Sequence, residues 1–96
     1  MAYEELYEKK KHVILSVGDM IYDLRSDSAG ILVDRERRVD MVKDDIYMWQ
    51  VKWIRSKDIP DVELPLVDYI EEEGLKMSIV IGLTQWHSID GGTYEP

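Results

Sequence analysis

Apolar and polar positions alternate most regularly between Ile46 and Ile54. Tyr47, Trp49, Val51 and Trp53 fall on one side, and Ile46, Met48, Gln50, Lys52 and Ile54 on the other. A period of two predicts a strand with its aromatic side turned to a core. Shorter apolar runs predict four more strands. Met20–Leu24 is the first. Ile31–Val33 opens a second that continues toward Val42, with a middle, Asp34–Arg38, too polar to stay within the core. Leu66–Ile70 is the fourth, and Met77–Leu83 the fifth. Before them, Tyr3, Leu6 and Tyr7 follow helical spacing, with Glu early and Lys late, which predicts a helix over Tyr3–Lys11.

The segments between are rich in turn formers. Arg25–Gly30 and Val42–Asp45 read as turns, and Arg55–Pro65, holding Pro60 and Pro65, as a long loop. Glu71–Leu75 reads as a single turn, with Gly74 suited to a left-handed stop. One helix followed by five closely spaced strands predicts a mainly β fold: a small, bent, five-stranded barrel with an N-terminal α-helix. The alternative is an open α+β sheet with the helix across one face. The 96 residues make one domain, with the helix over about 3–11, the barrel over about 17–83 and a flexible tail over about 88–96.

Composition narrows the class. Apolar residues form 45% of the chain and charged residues 33%, a balance that fits a globular domain. There is no cysteine, which excludes disulfides and thiolate metal sites and points to a reducing, cytoplasmic setting. The apolar stretch Met77–Leu83 is far shorter than a membrane helix requires. The net charge is −8, unevenly spread: residues 1–24 carry −2, 25–57 carry +2 and 58–96 carry −8. This balance argues against broad DNA binding, yet it leaves room for a local basic face.

The spacing of Val17-Gly18-Asp19, Gly30-Ile31-Leu32-Val33, Tyr47–Trp53 and Tyr69–Leu75 resembles SH3-like and Sm-like small barrels. More narrowly, Val17–Trp53 resembles a group of small proteins from ocean metagenomes, of cyanophage origin, with an Sm-like fold. The resemblance covers roughly Tyr3 to Leu83. It implies closure into a homo-oligomeric ring, the fourth strand of one protomer pairing with the fifth of the next. It also implies binding of single-stranded RNA near a central pore, in the cytoplasm of an infected bacterial host. The sequence departs from the Sm pattern in two places. Gly30, Leu32, Asp40 and Met41 echo the first motif, but Val42 stands where an Asn would read a base. Ile79-Val80-Ile81 is followed by Gly82-Leu83, without the Arg of the second motif.

The residues themselves offer one candidate surface. Arg35, Arg37 and Arg38, with Lys43 in the following loop, form a basic run on a predicted hairpin, and guanidinium forks match phosphate geometry. Tyr47 beside them is a candidate stacking partner for a base. Arg35 and Arg37 share one face of an extended strand, and Arg38 lies opposite with Glu36. The competing reading is a solvated hairpin whose acids, Asp34, Glu36, Asp40, Asp44 and Asp45, neutralise these cations. Lys52 and Arg55 are either an extension of the basic surface or ordinary solubilising residues. The two histidines, His12 and His87, stand in no catalytic motif, and no nucleophile elbow or phosphate-cradling glycine loop is present. The expectation is a non-enzymatic, nucleic-acid-binding protein with no cofactor or metal. The alternative is a phage structural or protein-interaction module that binds no nucleic acid.

Overall fold

A computed structural model describes residues 3–39, 42 and 45–91. The chain runs α1 (Tyr3–Lys10), β1 (Met20–Asp23), β2 (Ser28–Arg38), β3 (Ile46–Ser56), a 3-10 turn (Asp61–Glu63), β4 (Leu66–Glu71), α2 (Glu72–Val80) and β5 (Thr84–His87). The strands form one antiparallel sheet in the order β4-β3-β2-β1-β5, so β4 and β5 are its two open edges. The core lies between the inner face of this sheet and the two helices. Ile21, Leu32, Trp49 and Val51 from the strands meet Leu75, Ile79 and Val80 of α2, and Val13, which follows α1 in the chain, is buried in the same cluster.

The predicted alternation of β3 holds where it matters most. Trp49 and Val51 are buried, and Trp53 is partly buried against the same core. Gly30 faces them across the β2–β3 ladder. A side chain there would lie 2.7 Å from Val51 and 2.8 Å from the Trp53 ring, so only glycine lets the large indole close over the strand.

Expectation and structure part in two places: the mainly β fold is an open five-stranded sheet with two helices, in which β4 and β5 do not pair to close a barrel, and the fifth strand lies elsewhere in the chain. Met77–Leu83 is not a strand. Its first part belongs to α2, and β5 lies further on at Thr84–His87. A short apolar run fits a buried strand and a buried helix equally well. Three local features decide for the helix. Glu72 and Glu73 sit in its first turn, where the helix dipole favours acids. Leu75 and Ile79, four residues apart, both reach the core. Finally, Gly82 at φ 86° ends the helix: its N–H donates to the Ile79 carbonyl, and that of Leu83 to the Ser78 carbonyl. The left-handed stop is therefore Gly82, and Gly74 lies inside the helix.

The loop-to-sheet closure is made by Asp19. Its carboxylate is fully buried and accepts from the Ser16 N–H at 2.8 Å, the Trp86 indole at 2.9 Å and the Ile89 N–H at 2.9 Å. These bonds tie the entry to β1 to the segment after β5. Ile89 therefore belongs to the folded unit, although the sequence pattern assigns it to the tail. Residues 92–96 of that predicted tail lie outside the described residues.

Candidate functional site

The basic hairpin is real, and a β-bulge sets its geometry. Leu32 pairs with Val51, but Asp34 pairs with Gln50, which leaves Val33 unopposed. The extra residue shifts the alternation by one. Beyond it, Arg35 and Arg37 stand opposite Trp49 and Tyr47 on the inner face, and Asp34, Glu36 and Arg38 face outward. Without the bulge, Asp34 and Glu36 would be directed at the core.

Arg35 is built into the fold. Its Nε and Nη2 donate to the two oxygens of Glu72, each at 2.9 Å, across 37 positions of sequence. Glu72 also accepts from the Trp49 indole at 3.0 Å. The carboxylate side chain is only 10% exposed, against 43% for Arg35. Burial alone would push the Glu72 pKa up, but the hydrogen bonds from Arg35 and Trp49 together with the positive charges of Arg35 and Lys76 outweigh it and hold the carboxyl below its ordinary value. The same bond raises the pKa of Arg35. The guanidinium carbon lies 3.7 Å from the Tyr47 ring centroid, so one face of the predicted stacking residue is already covered.

Arg37 and Arg38 are held differently. Arg37 pairs with Asp45 at 2.8 Å and Arg38 with Glu36 at 3.4 Å, both in the open. These are two of the acids expected to neutralise the run. Arg38 also lies 5.2 Å from the ring centroid of Tyr69, a β4 residue 46% exposed. The structure thus separates the predicted set. Arg35 and Tyr47 form a partly buried network with Glu72 and Trp49, and Arg37 and Arg38 sit on opposite faces of the exposed arm. Lys43 lies outside the described residues.

Sequence reasoning missed Glu72 and Tyr69. Glu72 was one of three consecutive acids with nothing to single it out, and its role depends on a helix that pattern alone does not predict. Tyr69 reaches the arm because β4 pairs with β3 in the register that sets it opposite Gln50.

Below α2, a cleft of about 420 Å³ opens between β4 and β1, with Ile21, Ile70 and Leu75 among its apolar walls and Asp23 and Thr84 among its polar ones. Among the described residues, no three His, Asp or Glu side chains gather as a metal site, and no helix is long and apolar enough to cross a membrane. Comparison of the chain with protein-family models, curated proteins and solved structures finds no match.

Proposed function

We propose that this protein is a non-enzymatic, Sm-like binding module for single-stranded nucleic acid, with the β2–β3 arm as its phosphate-contacting finger. The observation that carries this reading is the state of Arg37 and Arg38. Among the described residues both pair with exposed carboxylates, an arrangement that water screens strongly. Phosphate oxygens can replace Asp45 and Glu36 at little cost, and the exposed Tyr69 ring beside Arg38 offers a stacking face. Arg35 serves as scaffold. The N-terminal helix and the two β-bulges, which bend the long hairpin, support the Sm-like reading. So do the open edges at β4 and β5, the strands that ring closure would join.

The test is fluorescence anisotropy on labelled single-stranded oligonucleotides with Arg37→Ala combined with Arg38→Ala. The double variant should keep its fold, bind at least about tenfold more weakly and show a shallower salt dependence. Unchanged affinity would remove the finger from the account.

A second reading is favoured by β4 itself. Leu66, Val67 and Tyr69 are exposed on a strand that pairs on one side only, an edge suited to recruiting a protein strand. In that reading the edge docks a protein and no nucleic acid is bound. Sedimentation across concentration addresses the homo-oligomer: a monomer at tens of micromolar counts against a ring.

A further inference from the structure

Helix α2 packs on the inner face of the sheet, and the outer face has its own pattern. Register across four strands sets two rows of side chains there. One runs Gln85, Tyr22, Ala29, Arg55, and the next runs His87, Met20, Ile31, Lys52. Neither row contains a carboxylate, although the chain holds 20 acids against 12 Lys and Arg. A groove of about 400 Å³ follows these rows, lined by Met20, Tyr22, Ala29, Arg55, Gln85 and His87.

The row geometry explains the hollow. Ala29 is the small residue between Tyr22 and Arg55, so the guanidinium extends over the phenol ring, 5.6 Å from its centroid. A second bulge contributes too: Ile54 is unopposed between Trp53 and Arg55, and it lines the same groove. Arg55 is 67% exposed, and the acid paired with it, Asp27, is 3.7 Å away, beyond good hydrogen-bond distance. The other nearby acid, Asp61, lines the adjacent hollow shared by Lys52 and Ile54.

We infer that this outer groove is a nucleotide-binding subsite, taking an aromatic base against Tyr22 and Met20 and its phosphate on Arg55 and His87. The chemistry matches on both counts. The Tyr22 ring and the Met20 thioether in the lining offer apolar contact to a base of any sequence. Arg55, held by Asp27 only at 3.7 Å, offers a guanidinium to an anion on a face whose two rows carry no carboxylate, in a protein of net charge −8. The inference rests on the single-strand reading above and adds a second contact region, remote in the sheet from the arm. A strand engaging both would cross the outer face from Arg38 toward Arg55.

The test is an amide NMR titration of the full chain with adenosine 5′-monophosphate, with adenosine and inorganic phosphate as separate arms. The nucleotide should shift Tyr22, Ala29, Arg55, Gln85 and His87 and bind more tightly than either half. Arg55→Gln and Tyr22→Leu, both changes at the outer surface, should each weaken it about tenfold with the remaining spectrum unchanged. Unmoved groove resonances at millimolar nucleotide would overturn the inference, as would phosphate alone matching the nucleotide. A single-stranded oligonucleotide separates the two proposals. Shifts at Arg37 and Arg38 with a silent groove would remove the subsite and keep the arm. Shifts at the groove, with binding indifferent to the Arg37 and Arg38 substitutions, would remove the arm and keep the subsite.

Discussion

Replacing Arg35 by alanine should destabilise the protein far more than any other arginine change on the arm. The substitution removes two charge-assisted hydrogen bonds and leaves the Glu72 carboxylate, 10% exposed, with the Trp49 indole as its remaining side-chain donor. Taking one partner from a buried ion pair costs about 3–5 kcal/mol. Arg35 is 43% exposed, so water recovers part of this, and about 2–3 kcal/mol is expected. For a chain of this size that lowers the melting temperature by roughly 10–20 °C. Urea denaturation at pH 7 should show the midpoint falling by about 1–2 M with an unchanged slope. Arg37→Ala, which breaks an exposed pair, should leave the urea midpoint essentially unchanged. The pH dependence carries a defined sign. Glu72 is held below its ordinary pKa, so the pair stabilises the fold fully above the ordinary carboxylate range. That contribution disappears as pH falls through the lowered folded value, and the Arg35→Ala protein should lack this part of the acid transition. A loss under about 0.5 kcal/mol at pH 7 would refute the reasoning, as would strict additivity of Arg35→Ala and Glu72→Gln in a double-mutant cycle.

Three other sites have outcomes of their own. Asp19→Ala strips the acceptor from three N–H groups, one on the Trp86 indole, and should cost about 2–4 kcal/mol by thermal or urea unfolding; a neutral result would show that the clasp is dispensable. Gly30→Ala inserts a methyl against Val51 and Trp53 and should destabilise by about 1–3 kcal/mol, with altered Trp fluorescence. Gly74→Ala should do the opposite. The residue sits inside α2, an added Cβ meets nothing within 4 Å, and helix propensity predicts a gain of about 0.5–1 kcal/mol in the unfolding free energy.

The elements legible in the sequence are those whose signal is local. The helix at Tyr3–Lys10 follows from Leu6 and the charge order, and β3 from the alternation around Trp49 and Val51. Strand β4 follows from the apolar residues after Pro65. The α2–β5 region was illegible for a physical reason. Ile79-Val80-Ile81 has strand-like composition, and tertiary packing of Leu75 and Ile79 on the core overrides it. One of the local signs, Gly82 as a helix stop, is easily read as a strand interruption. For the arm, sequence placed Arg35 with Arg37 and Arg38 with Glu36, and the register agrees. Sequence had no means of separating Arg35 from the other two, because its partner Glu72 lies 37 residues away in a helix pattern did not predict. The outer rows were equally hidden: Tyr22, Arg55 and His87 lie on three strands and meet only through register.

The most direct measurement is fluorescence anisotropy of the unaltered protein with labelled single-stranded RNA, single-stranded DNA and duplex DNA, at low and near-physiological salt. The account predicts saturable binding that prefers single strands and weakens as salt rises. No binding even at low salt, or equal binding to duplex, would contradict it.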